Sequence, residues 1–333
     1  MISPNLNQGI ILGPMEGISD AAYRLTMLNL FPQWDYVASE FLRAPSVGFY
    51  KNDWIINFFG RKIYENPVLK QKSIFQILTS SVSKYQDLVA QIRDLGFLWL
   101  DLNLGCPSRT VNNHGGGAIL LESPKELEII IKNIRQLFPP PLTFSVKIRL
   151  GMFDDSSFFK NIHLFQELGV DYVTVHGRTR KELYTGVASW NQSEKAAQLF
   201  PHLKLIGNGD IWTPEFYKEK EATQLFSFLM LSRGALKYPW FPLILQGKLN
   251  STDSKKTLFK EYLYSYFETY TNNLLEENFS PMACCKRIKA ISRYIFEEEF
   301  ITPSIKKELF RIEDLDAALA FLKEVVNIAN ERP

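Results

Sequence analysis

Residues 98–117 read LWLDLNLGCPSRTVNNHGGG, and the pattern changes partway along. Leu98, Leu100, Leu102 and Leu104 alternate with Trp99, Asp101 and Asn103, the period of two expected of a β-strand with two unlike faces. The alternation stops at Gly105. Cys106 and Pro107 stand where the strand ends, a polar loop closes on Gly115, Gly116 and Gly117, and Ser123-Pro124 opens a helix. A strand with polar side chains on one parity thus delivers a lone thiol to the mouth of a loop, where chemistry can be done.

Outward from this stretch, apolar runs at 10–15, 36–41, 73–78, 98–105, 143–150, 171–178, 203–208 and 225–233 read as strands. Amphipathic or capped segments at 20–30, 84–95, 124–137, 156–168 and 214–220 lie between them. Repetition of β-then-α over about 250 residues predicts an α/β fold, a (β/α)8 TIM barrel with its active site at the carboxyl ends of the strands. A doubly wound open sheet is the alternative, but no GxGxxG follows the first strand. Residues 249–253 are a polar break. Beyond it no strand signal recurs; helical periodicity runs over 255–275, 281–298 and 312–330, with Ser304 and residues 313–316 as helix starts. The expected division is a barrel domain, 1–248, and a small C-terminal all-helical domain, 249–333.

The 333 residues are 46% hydrophobic, enough for a large core. No run approaches the ~18 uninterrupted apolar residues of a membrane span. The start, MISPNLNQGI, has neither the basic beginning nor the apolar centre of a signal peptide, so residence in the cytoplasm, off the membrane, is expected. Three cysteines, two of them adjacent at Cys284 and Cys285, form no disulfide framework, and no Cys/His spacing points to a metal. A net charge of +2 makes no global case for nucleic acid, and residues 250–333 hold 12 Lys and Arg against 14 Asp and Glu. An RNA-binding surface must therefore be local. Lys286, Lys289 and Arg293 fall at i, i+3 and i+7 on one helical face with Arg287 beside them; a solvated surface helix is the competing reading.

Polar residues on the inward parity of barrel strands need a reason. Gln76, then Asp101 and Asn103, Lys147 and Arg149, Thr174, His176 and Arg178, and finally Asn208 supply them on five consecutive strands. Burying such groups unpaired costs several kcal/mol, so together they imply a polar ligand at the strand ends. Gly207-Asn208-Gly209-Asp210 follows the seventh strand and Ser232-Arg233-Gly234-Ala235 the eighth, the two places where many barrels hold a phosphate on backbone N–H groups. With Lys147 and His176 they describe a pocket for a ring with a polyol-phosphate tail.

These motifs resemble the tRNA-dihydrouridine synthases. GPMEGISD, SEF, FQI, DLNLGCPS, GGGA, VKIRLG, VHGRTRKELYTGVASW, GNGDI and SRGA occur in that order, and PMEG, GCPSRTVN and NGDIW are most similar to the branch that modifies the uridine at tRNA position 16. The resemblance implies bound FMN, NADPH as hydride donor and tRNA as substrate. Pro14 and Met15 would lie against the flavin, with Glu16 also on the cofactor, and Gln76 would meet its pyrimidine edge. Lys147 would stand by N1 and O2 and His176 on the polar side, while Asn208, Gly209, Asp210, Arg233 and Gly234 would hold the phosphate. Asn103 and Arg178 would contact the extruded uracil, Cys106 would be the general acid that protonates C5 as hydride reaches C6, and the tail would grip tRNA through Lys286, Arg287, Lys289 and Arg293. A monomer without a protein partner is expected. Gly13, Arg109, Glu182 and Ser232 depart from the commonest pattern; none removes a catalytic atom. Two rivals remain: an FMN-dependent dihydropyrimidine or dihydroorotate-type dehydrogenase acting on a free small molecule, which has no need of the tail, and a barrel that has lost catalysis and only binds RNA.

Overall fold

The structure is a computed structural model that describes residues 9–245, 252–298 and 301–331. Its strands are β1 (Gly9–Leu12), β2 (Tyr36–Ala38), β3 (Leu42–Arg43), β4 (Ser73–Leu78), β5 (Trp99–Leu104), β6 (Thr143–Arg149), β7 (Tyr172–His176), β8 (Lys204–Asn208) and β9 (Phe228–Leu231). All pairings between them are parallel. β1 pairs with β9 and with β2, and β2 pairs with β4, so eight strands close into the barrel that the repeat predicts. The two-residue β3 is the addition: it takes up pairing with β4 where β2 has ended, Leu42 opposite Ile77.

The barrel is apolar at one end and polar at the other. At the amino ends of the strands Ile11, Ile74, Trp99, Ile206 and Met230 form a closed cluster with Tyr36, Tyr172 and Phe228, and Trp99 stacks on Tyr172 at 5.0 Å. At the carboxyl ends the register lines up the polar residues. Asn103 stands opposite Lys147, Lys147 opposite Thr174, Arg149 opposite His176, and His176 opposite Asn208.

Helices Ala21–Leu30, Tyr85–Asp94, Pro124–Leu137, Phe158–Glu167 and Pro214–Ala222 match the expected segments within two residues at each end. Three short helices, Asn52–Phe59, Arg61–Glu65 and Pro67–Gln71, escape the periodicity argument because Gly60, at φ +105°, and Pro67 at a helix start cut the stretch below the length at which a period is readable.

Helices Thr252–Glu276, Pro281–Ile295, Pro303–Arg311 and Leu315–Glu331 form the tail. The third starts at a Thr302 cap, not at Ser304, because Pro303 supplies the first helical position. Thr252–Glu276 lies along Ala21–Leu30: Tyr270 meets Tyr23 edge-on at 6.0 Å, and Asn273 Nδ2 donates to Thr26 Oγ1 at 2.9 Å. One apolar core runs from the barrel into the tail. The expected domain boundary falls at 248/249, outside the described residues. Among the described residues, no helix is long and apolar enough to cross a membrane.

Candidate active site

A cavity of about 560 Å³ opens at the polar end of the barrel. Of the cofactor and catalytic residues read from the sequence, Pro14, Met15, Glu16, Gln76, Cys106, Lys147, His176, Asn208, Gly209, Asp210, Arg233 and Gly234 all line it, and so does Asn103.

Its floor is a chain of hydrogen bonds. Trp99 Nε1 donates to Ser145 Oγ at 2.8 Å, Ser145 Oγ to Asp101 Oδ1 at 2.5 Å, and Gln76 Nε2 to Asp101 Oδ2 at 2.8 Å. Asn103 Nδ2 then donates to Gln76 Oε1 at 2.9 Å, while its Oδ1 accepts from the Gly105 N–H at 3.0 Å. Burial pushes the Asp101 carboxyl up, and the bonds from Ser145 and Gln76 oppose that shift. The charge of Lys147 opposes it too, although no Asp101–Lys147 ion pair is formed among the described residues.

Lys147 is the exception to the pairing. Among the described residues no side chain or carbonyl accepts from its ammonium, and burial, with Arg149 next to it, lowers its pKa to about 8. An unpaired cation lining a cavity calls for a ligand with electron-rich atoms. His176 is held far below its ordinary value by burial and by the charges of Lys147, Arg149, Arg178 and Arg233. Its Nε2 lies 3.3 Å from an Arg178 nitrogen that can only donate, so this neutral ring carries its proton on Nδ1.

Cys106 is 5% exposed and packs with Leu78, Val111 and Phe41. Its loop is pinned by Asn112, whose Nδ2 donates to the Cys106 carbonyl at 2.9 Å. Burial raises the thiol above its ordinary value, so it stays protonated at neutral pH, as a proton donor and not as a nucleophile.

The loops after β8 and β9 make a cradle. Gly209 sits at φ +128°, and a Cβ on Gly234 would stand 2.0 Å from the Ile211 carbonyl oxygen; the backbone fits there only without side chains. Arg233 rests over Trp212 at 4.8 Å and over Tyr184 at 5.0 Å. The departures at Gly13 and Ser232 explain each other. A Cβ on Gly13 would lie 2.6 Å from Ser232 Oγ, so the serine hydroxyl fills the space that the missing methyl leaves. Glu182 is taken up locally, its carboxylate accepting from Thr179 N at 2.6 Å and Thr179 Oγ1 at 2.8 Å.

Five sequence-based assignments do not line the cavity: Arg178, Lys286, Arg287, Lys289 and Arg293. Arg178 is 1% exposed, and its guanidinium donates to Asp210 at 2.6 and 3.0 Å and to the carbonyls of Thr185 and Gly186. It fastens Asp210 from behind and has no free edge for a uracil. Arg149, by contrast, lines the cavity and is fixed by the carbonyls of Gly105, Thr179 and Leu183. Arg287 is also engaged: it is ion-paired with Asp20 and lies over Phe279 at 4.6 Å. Lys286 and Arg293 are exposed and Lys289 half-buried, away from the cavity. Glu40, Tyr184, Trp212 and Tyr294 line it as well. Glu40 lies in the word SEF and Tyr184 in KELYTG, whereas Tyr294 reaches the cavity from the tail and had no sequence signal.

The chain matches the family model "Dihydrouridine synthase (Dus)" over residues 11–330. It is 32% identical over 238 residues to the tRNA-dihydrouridine(16) synthase of Pasteurella multocida (strain Pm70), with 69% of this chain and 73% of that protein covered. With the tRNA-dihydrouridine(16) synthase of Neisseria meningitidis serogroup B (strain MC58) it shares 29% over 274 residues, 80% of each. Among solved structures, histamine dehydrogenase from Rhizobium sp. 4-9 superposes with a TM-score of 0.55 at 10% identity, over 79% of this chain and 48% of that one; this likeness is one of fold alone. The chain belongs to the dihydrouridine synthase family.

Proposed function

We propose that this family member reduces a uridine of tRNA to dihydrouridine, the uridine at position 16 as in the names of its relatives, with FMN bound in the 560 Å³ cavity and NADPH as the source of electrons. One observation carries the reading: a thiol kept protonated and a lysine without an ion-pair partner line the same cavity. The residues present fit the cofactor. Lys147 offers a cation to the electron-rich edge of a ring, Gln76 and Asn103 offer amides held in register, and the Gly209 and Gly234 backbone with Arg233 offers a cradle for a phosphate.

When bound, flavin supplies the hydride for C6 of the uracil. Cys106 gives its Sγ proton to C5, which completes the two-electron reduction of the C5=C6 bond and leaves a thiolate for solvent to reprotonate. Arg149, fixed by three carbonyls, presents its remaining donors to the uracil carbonyls. A base stacked in folded RNA must be extruded to reach this depth, and the tail is the part of the chain available to hold the rest of the tRNA. Tyr294 of the tail lines the cavity, an arrangement that a dehydrogenase for a free pyrimidine would not need.

The test is a single anaerobic titration of the purified protein. A yellow spectrum that bleaches with NADPH and returns on addition of unmodified tRNA, with dihydrouridine mapped to position 16, is the expected result. Flavin that bleaches and then ignores tRNA but reacts with free uracil or orotate overturns the reading, and a mapped product at another position overturns its finer part.

A further inference from the structure

A second cavity, of about 270 Å³, lies where the loop bearing Cys106 folds back on the end of β4. Ser80 and Gly116 form an antiparallel bridge there, and Gly116 leaves no room for a side chain, since a Cβ would stand 2.7 Å from the Thr79 carbonyl oxygen. Leu78 and Val111 form one wall, and both also pack against Cys106. The two cavities therefore stand back to back across the wall that carries the thiol.

The chemistry of the lining is one-sided. Arg43, His114, Ser46 and Ser80 contribute polar side chains and neither Asp nor Glu contributes any. Among the described residues the Arg43 guanidinium and the His114 ring have no hydrogen-bond or ion-pair partner, and no group of three or more His, Cys, Asp or Glu residues that could hold a metal ion occurs. Arg43, Ser46 and His114 are exposed and Ser80 is half-buried, so these side chains of the concavity are open to a ligand from solvent. Val82 on the lining is 75% exposed. A cluster of donors with no carboxylate among them matches a phosphate.

We propose that this second cavity is a phosphate subsite, anchoring the phosphate-bearing part of a substrate whose reacting end enters the main cavity. The proposal rests on the function argued above, which brings two such substrates to this face, the tRNA backbone and the phosphates of NADPH. Their shared chemistry is a phosphate oxygen accepting from Arg43.

The two half-reactions distinguish the sources. Holoenzyme carrying Arg43→Gln, Arg43→Lys or His114→Ala is compared with the unsubstituted holoenzyme, with flavin content and melting temperature confirming the fold. If the phosphate is that of RNA, Arg43→Gln raises the KM for tRNA roughly 10- to 100-fold with the limiting rate retained. It also lowers the slope of log KM against log salt by about 1, and Arg43→Lys keeps the slope. If the phosphate is that of the dinucleotide, the loss falls on flavin reduction and leaves the KM for tRNA unchanged: on NADPH alone where Arg43 meets the 2′-phosphate, on NADPH and NADH alike where it meets the diphosphate. Unchanged constants for both substrates in the Gln and Ala variants overturn the proposal, and so does a fall in the limiting rate of both half-reactions that the Lys variant shares. Failure of the unsubstituted protein to reduce tRNA defeats the functional reading instead, and the dinucleotide arm then decides the subsite alone.

Discussion

Cys106 and Lys147 line one cavity, and burial pushes them in opposite directions, the thiol up and the ammonium down to about 8. Both shifts follow from the cost of holding charge away from water, and they leave Cys106 protonated over a wider pH range than Lys147. Replacing Cys106 with alanine should retain bound flavin and its reduction by NADPH while lowering tRNA reduction by ~10²- to 10⁴-fold, the usual contribution of a positioned acid. Stopped-flow traces of the two half-reactions check this, and undiminished tRNA turnover removes Cys106 from the mechanism. The pH profile belongs to the lysine. A depressed ammonium is charged below its pKa and neutral above it, so tRNA-dependent turnover should fall as pH rises beyond about 8, before the thiol has ionised. Lys147→Arg, which stays charged throughout, should move that alkaline limb upward; an unmoved limb assigns it to another group.

The loop that joins β1 to helix Ala21–Leu30 shows how an element is held for function. Pro14, Met15 and Glu16 of this loop line the cavity, Ile18 N donates to Glu40 Oε1 at 3.1 Å, and Asp20 closes the loop by accepting from Tyr23 N at 2.8 Å while pairing with Arg287 of the tail. Asp20 therefore does two things that substitution can separate. Asn at position 20 keeps the cap and loses the ion pair, while Ala loses both, so chemical denaturation should show Asp20→Ala less stable than Asp20→Asn by about 1 kcal/mol, the value of an N-cap. Equal midpoints would mean that the cap is idle. The same loop marks the limit of what could be read from sequence. Strand parity is local, so Gln76, Asn103, Lys147 and His176 were legible as one inward set. Arg178 lies outside the cavity lining because β7 ends at His176; beyond it Gly177 N bonds the Asn208 carbonyl, Ser189 N bonds the Gly177 carbonyl, and alternation no longer tells where a side chain points. Arg287 was read correctly as lying on a basic helix, but its helix docks on the barrel, and the partner that occupies it is distant in sequence by 267 residues. No period within a helix encodes that pairing.

For the molecule as a whole, a net charge of +2 leaves little long-range attraction for a polyanion, so any grip on tRNA has to come from where cations are concentrated and free. With Arg178 and Arg287 committed to carboxylates, the exposed Lys286 and Arg293, with Lys289 between them, are what remains of the patch read from the tail. Arg293 is steadied over Phe310 at 5.6 Å. They share helix Pro281–Ile295 with Tyr294, which lines the cavity, so a backbone held along this face would lie beside the opening through which an extruded base must pass. Each phosphate contact contributes roughly 1 to the slope of log affinity against log salt. Substituting Lys286, Lys289 and Arg293 together with glutamine should lower that slope for tRNA by up to about 3, while the rate of flavin reduction by NADPH stays as it was, since none of the three lines the cavity. A slope that does not change would move the RNA to another face, and the barrel-mouth loops around Arg43 would then be the next surface to carry it.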